Sequence, residues 1–296
     1  MAVHSFLSYL ELEKNYSRHT VGAYRNDILA FQQFCRDDFD IENIDSIAYG
    51  IIRSWIITLV SSNISNRTVN RKIASLKAYY KFLQRIGVIE ASPLAKHVSL
   101  KTPKKVEVPF SEEEMENVLS LIHFENDLEG RRDKLIIELL YATGIRRSEL
   151  INIKMADVDL SSATLKVLGK RNKERMIPLL PSTIGLFKDY YIERDQLHDN
   201  SGARFVFLTK TGNKIYETLV YRIINGYFSK VSSKVKKSPH ILRHTFATHL
   251  LNKGADLNSV KELLGHSSLA STQVYTHNSI AELKKVHSKS HPRSKK

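Results

Sequence analysis

Four stretches of this sequence carry phosphate-directed or proton-carrying side chains. They are "ATGIRRSEL" (142–150), "VLGKRNKERMIPL" (167–179), "HILRHTFATHLL" (240–251) and "LLGHSSLASTQVYTH" (263–277). In order they supply Arg146, Lys170, His240 with Arg243, His266 and, nine residues after that histidine, Tyr275. Two guanidiniums can clamp the non-bridging oxygens of a phosphodiester and stabilise the charge that gathers there in the transition state. Arginine suits the task because its planar fork stays charged at every relevant pH. A tyrosine hydroxyl, titrating near pH ~10, is a poor nucleophile in water. Beside two guanidiniums and an imidazole its phenolate is stabilised and its proton has an acceptor. A bridging oxygen that leaves as an alkoxide needs an acid, and Lys170 on a hairpin turn can reach it. No carboxylate pair or triad stands ready for two metal ions, so arginines would take over their charge-stabilising part and no cofactor is implied.

Each residue alone has a plainer explanation. A single tyrosine in "TQVYTH" is most often half-buried packing, and Lys170 is one lysine among many. The histidines could suggest zinc, but cysteine partners are missing, and His240 and His244 lack the glutamate of a metalloprotease helix. His244 and His249 read as helix packing. The five groups taken together outweigh these explanations.

Several elements must hold such a cluster. Ser238 and Pro239 mark a helix N-terminus, which favours an anion and sets His240 and Arg243 one turn apart. A buried helix around Leu135, Ile136, Leu139 and Leu140 ends near Gly144, just before Arg146. "ATLKVLGK" and "ERMIPLL" read as a β-hairpin around the turn "RNK". Ser111 and Glu114 form a capping box that opens this second domain. Ahead of it, residues 1–100 read as helix. Val3, Phe6, Leu7 and Leu10 form one apolar stripe. Val21, Tyr24, Ile28, Phe31 and Cys35 form another, with Ser17 as N-cap and Cys35 as a core residue. "KTPKKVEVP" (101–109), with two prolines and three lysines, reads as a basic linker. The last thirteen residues hold six Lys or Arg and no acid, which predicts a solvated basic tail.

The totals bound the partners. A chain of 296 residues is long for one core, so two domains are expected. A net charge of +14 points to a polyanion, with nucleic acid ahead of an anionic membrane. No apolar run reaches the length of a bilayer crossing. Residues 1–15 carry acids and tyrosines where a signal peptide needs an apolar block. One cysteine rules out an internal disulfide and fits a reducing, cytoplasmic setting. The helix expected at 66–86 puts Val69, Ile73, Leu76, Tyr80 and Leu83 on one face. Arg67, Arg71, Lys77, Lys81 and Arg85 fall on the opposite one with no acid among them, where a solvated face normally mixes signs. That face is expected to meet DNA, its phosphate contacts giving affinity rather than sequence choice.

On these blocks the chain resembles a tyrosine recombinase of the phage integrase-like family, XerC/XerD type and closer to XerC. "LEKNYSRHTVGAYRNDILAF" is similar to the opening of that group's DNA-binding domain. The family carries Arg, Lys, His-x-x-Arg, His and Tyr in this order, which fall on Arg146, Lys170, His240, Arg243, His266 and Tyr275. Arg171 departs from it, since close relatives often have Gly there, and Arg147 is a rival for the first arginine. The resemblance implies a mainly α fold with a small β-sheet in the C-terminal domain, a two-domain DNA clamp with the tyrosine recombinase catalytic fold. Its parts would be an N-terminal DNA-binding domain at 1–100, a linker at 101–109 and a catalytic domain at 110–296.

The implied activity is strand exchange on duplex DNA through a 3′-phosphotyrosyl bond on Tyr275, without ATP or metal. The implied setting is chromosome dimer resolution at cell division, in a heterotetramer with a XerD-like partner on two sites and with a septal DNA translocase as a further partner. Alternatives are an integrase of a phage or mobile element, a type IB topoisomerase and a non-catalytic architectural DNA-binding protein. The chain opens without the arm-binding domain many integrases carry, which favours the Xer expectation. The resemblance also implies that the tail helix, with Ile280, Leu283 and Val286, docks on a neighbouring protomer.

Overall fold

In a computed structural model of the chain, residues 2–103, 107–169, 174–197, 202–265 and 277–295 are described. The chain divides into two compact units, Met1–Lys105 and Val106–Lys296.

In the first unit, α1 (Ala2–Ser8) runs on through a wider turn at Tyr9–Glu13 and is followed by α2 (Arg18–Phe39), α3 (Tyr49–Ser61) and α4 (Asn66–Arg85). Ser17 caps α2 by accepting Thr20 N–H at 3.3 Å, as its place before the second stripe predicts. Phe6, Leu7 and Leu10 meet Val21, Ile28, Phe31 and Cys35 in one core with Val69, Ile73, Leu76, Tyr80 and Leu83 of α4. Val3 and Tyr24 pack against its edge. Cys35 is fully buried and its thiol is pushed up to about 11 by burial, so it stays protonated.

The second unit opens on the expected capping box. Ser111 Oγ accepts Glu114 N–H at 3.0 Å, and Glu114 Oε2 accepts Ser111 N–H at 2.7 Å, starting α5 (Glu112–Glu116). Asp127 caps α6 (Leu128–Thr143), whose last nine residues are all buried, so this helix is central rather than amphipathic. It ends at Gly144 with φ +61, where a Cβ would sit 2.4 Å from Phe246 Cδ1 and 2.9 Å from Leu264 Cδ2. Only glycine fits that tight reversal, and the chain passes at once to Arg146 and α7 (Arg147–Leu150).

The expected hairpin is present, joined by a short strand that the sequence did not announce. β1 (Val158–Asp159), β2 (Thr164–Leu168) and β3 (Glu174–Pro178) form an antiparallel sheet in the order β1-β2-β3, with Leu165 opposite Ile177 and Val167 opposite Arg175. Helices then follow: α8 (Pro181–Arg194), α9 (Glu217–Ser229), α10 (Pro239–Asn252), α11 (Leu257–Leu264) and α12 (His277–Ser290).

The expectation of a solvated tail is corrected. Leu283, His287, Ser290 and His291 are buried, and α12 packs on α10 and β3 of its own unit. His287 Nε2 donates to Ala142 O at 2.6 Å and His291 Nε2 to Tyr141 O at 3.2 Å. A count of charges hid this face. Lys285 and Lys289 point outward, while neutral imidazoles at helical spacing can be buried once carbonyls accept their N–H groups.

Candidate active site

Arg146, the cap residue of α7, has extended backbone angles that turn its N–H toward Glu149, three residues on. Glu149 accepts that N–H at Oε2 and the Arg146 Nη1 at Oε1, both at 2.8 Å. Its carboxylate is almost fully buried and is also gripped by Arg175 of β3, at 3.0 and 2.8 Å. Burial alone would push the Glu149 carboxyl up. Arg175 and Arg146 outweigh it and hold the group below the usual carboxylate range. The side chain of Arg146 keeps a third of its surface open to solvent, enough to meet an anion.

Arg243 approaches from α10. Its Nη1 donates to Gly144 O at 2.5 Å and its Nη2 to Leu264 O at 2.7 Å, so the end of α6 and the end of α11 fix one guanidinium. Burial and the nearby Arg146 bring it down to about 10, with Glu149 opposing. It is still charged at neutral pH, and a phosphate beside it would restore the usual value. His240, one turn earlier, is exposed at the N-terminus of α10. His240, Arg243, His244, Glu107, Lys236 and Leu264 border a cleft of about 430 Å³. Glu107 pairs with Lys236, whose hydrogen bond holds that carboxyl below the usual range.

Arg146, His240 and Arg243 are therefore gathered around the junction of α6, α7 and α10. Lys170, His266 and Tyr275, with Arg171, lie outside the described residues. Arg147, the rival for the first arginine, pairs with Glu217 of α9 instead. His249 is buried with its Nδ1 2.8 Å from the Tyr141 hydroxyl, as a packing residue would be, while His244 is exposed on the rim of the cleft. A larger hollow of about 590 Å³, bordered by Arg132, Asp133, Arg222 and Tyr227, touches none of the candidate residues.

Sequence reasoning missed Glu149 and Arg175. Glu149 had a visible signal, an acid three residues after a cap position. For Arg175 the signal was the period of two in β3, which sets it on the same side as buried Ile177. In the first unit Arg67, Arg71, Lys77, Lys81 and Arg85 of α4 are all exposed, while the helix's sixth base, Lys72, is half-buried beside Asp27. Arg71 also donates to Asp27 at 2.5 and 2.9 Å, and Arg85 to the Tyr9 hydroxyl at 3.0 Å. The buried Asp27 carboxylate additionally accepts Ser75 Oγ at 2.8 Å, so Arg71 has a structural task.

Residues 110–282 match the Phage integrase family, and residues 3–87 match the phage integrase N-terminal SAM-like domain. The chain belongs to the phage integrase family. Among its curated relatives is the tyrosine recombinase XerC of Oceanobacillus iheyensis, 39% identical over 99% of this chain and 96% of the relative. The XerC of Chlorobaculum parvum is 37% identical over 97% and 93%. These relatives put the chain with the tyrosine recombinases of XerC type, enzymes that break and rejoin DNA. Among solved structures, the Tn1549 transposon integrase in complex with transposon right end DNA has a TM-score of 0.70 at 22% identity, covering 96% of this chain and 99% of its own. The XerH site-specific recombinase bound to difH substrate has a TM-score of 0.68 at 23% identity, covering 96% and 83%. Both share the fold, mainly helical with one small sheet. Among the described residues, no helix is long and apolar enough to cross a membrane.

Proposed function

We propose that this chain is a site-specific recombinase in which Arg146 and Arg243 clamp the scissile phosphate and Tyr275 attacks it. The attack forms a 3′-phosphotyrosyl bond and releases a 5′-oxygen, which takes a proton from Lys170. His240 and His266 assist at the phosphate and accept the tyrosine proton. The free 5′-hydroxyl of a partner strand then attacks the phosphotyrosyl bond, expels the tyrosine and restores a phosphodiester, so no ATP or metal is consumed.

The observation that carries this reading is the double anchoring of Arg243 to the ends of α6 and α11, beside an Arg146 held on Glu149. Guanidiniums fixed before substrate arrives need no reorganisation as charge develops. Arg67, Lys77 and Lys81 on the exposed face of α4, with Arg71 and Arg85 partly engaged elsewhere, would track the DNA backbone. The relatives are XerC recombinases, which supports a role in chromosome dimer resolution. We extend this role to a cytoplasmic heterotetramer with a XerD-like recombinase, acting with a septal DNA translocase.

The deciding experiment uses a nicked suicide substrate. Tyr275→Phe should still retard site DNA in a gel and form no covalent adduct, whereas adduct formation by that variant would reject the assignment. Mapping adducts along the chromosome then separates the settings. A peak near the replication terminus fits dimer resolution, and one inside a mobile element fits an integrase.

A further inference from the structure

Arg175 plays no part in the reading above, yet it touches three of the segments that build the site. It lies within β3 with 4% of its side chain exposed. Its Nη1 and Nη2 donate to Glu149 at 3.0 and 2.8 Å, and its Nε donates to Leu263 O at 3.0 Å. Glu149 is the carboxylate that also holds Arg146, and the carbonyl next to Leu263 O, that of Leu264, holds Arg243. One buried guanidinium thus joins the strand that follows Lys170 in the sequence, the cap that carries Arg146 and the last turn of α11 ahead of His266 in the sequence. Gly265, at φ +66, closes over it: a Cβ there would lie 3.1 Å from Arg175 Nη1 and 3.2 Å from its Cζ.

The charge balance gives the arrangement a purpose. Glu149 carries one negative charge between two guanidiniums. Without Arg175 that charge would rest on Arg146 alone, drawing its fork inward and weakening its pull on a phosphate. With Arg175 in place, the carboxylate is largely satisfied from the far side. Arg146 is then steered by Glu149 without being neutralised by it.

We propose that Arg175 is a positioning residue for strand cleavage. By holding Glu149 and the end of α11 it sets the guanidiniums of Arg146 and Arg243 for the scissile phosphate, and it does not touch the phosphate itself. This rests on the recombinase reading, with those two arginines as the clamp.

A neutral methylphosphonate at the scissile position tests it, because it lacks the anionic oxygen that the clamp stabilises. In the full-length Arg175→Lys variant the charge is kept and the two-pronged grip is lost. Half-site binding should stay close to the parent's. Adduct formation should fall about 10- to 100-fold on the ordinary phosphodiester, the size of loss usual when a group that orients the contacting residues is removed, and should come close to the parent rate on the methylphosphonate. Equal losses on both substrates, or no loss on either, would overturn the proposal. If Arg175→Lys cannot bind a half-site, the paired variant Arg175→Met/Glu149→Gln, which leaves no buried charge unmatched, takes its place. The same substrate-dependent loss is expected. Failure of the paired variant to bind as well would reduce the network to a folding element and overturn the proposal. A parent protein that forms no adduct on either substrate would reject the recombinase chemistry and this proposal with it. Equal losses, by contrast, would leave that chemistry standing.

Discussion

Arg146 and Arg243 differ in how they are held, and the difference says what each can tolerate. Arg243 donates to two backbone carbonyls, so it is a strut between α6 and α11 as well as the proposed clamp for the phosphate. Arg146 depends on a side chain, Glu149, which depends in turn on Arg175. A guanidinium is poorly suited to releasing a proton to a leaving oxygen. On the proposed mechanism the proton for the leaving 5′-oxygen must therefore come from elsewhere, and Lys170 of the "GKRNK" segment is the proposed donor. Lys170→Ala should cleave normal site DNA slowly and recover largely on a substrate with 5′-bridging sulfur, which leaves without protonation. Single-turnover adduct formation on the two substrates measures this. Equal defects would make Lys170 a DNA-positioning group and turn attention to Lys173 or His240.

At the scale of elements, periodicity decided what could be read. The stripes at 21–35 and at 69–83 were legible because each helix buries one face against the other, and burial at three- and four-residue steps leaves a pattern in the sequence. Gly144 was legible as a helix stop, and the capping box as a start. The link of Arg175 to Glu149 was not, because its two ends are 26 residues apart and a buried arginine looks like any other base in a strand. Helix α12 was misjudged for a related reason, as its buried face is made partly of histidines. Burial lowers the His287 imidazole to about 4 and His291 well below its ordinary value. Around them stand Tyr141, His249 and Arg293. A histidine whose folded value lies below its unfolded value stabilises the fold above the unfolded value, and that contribution is lost as pH falls. Stability of the parent should therefore drop between about pH 6.5 and 4, by up to about 1.4 kcal/mol per pH unit for each such histidine. His287→Gln should flatten this slope in thermal unfolding followed against pH. Asp133, raised to about 6 by burial, acts in the opposite sense in both proteins, so the difference between them isolates the histidine. An unchanged slope would mean that α12 leaves its site before His287 is charged.

At the scale of the whole molecule, an excess of 14 positive charges makes binding to DNA a counterion-release process that must weaken as salt rises. The tail contributes to that charge, but its burial gives it a second task. Leu283, His287 and His291 cover the end of α6 and the flank of α10 near Phe246. The helix begins at His277, two residues after Tyr275 in the sequence. Any exchange of this helix between its own unit and a neighbouring protomer would pull on the adjoining chain that carries Tyr275, the proposed nucleophile, and cleavage would then depend on the neighbour's state. A chain truncated after Asn278 exposes the covered face, so its thermal unfolding midpoint without DNA should fall. The burial of Leu283 alone is worth about 1.5–3 kcal/mol. Below that midpoint the truncated chain should bind an isolated half-site nearly as well as the intact protein. On the full site it should lose cooperativity, and its balance of cleavage should change. Gel titrations on half and full sites at matched salt decide the matter. If the truncated chain binds full sites as cooperatively as the intact one, α12 serves only its own unit. If affinity falls equally on both sites and the loss disappears at high salt, the tail acts as a polycation on the phosphate backbone.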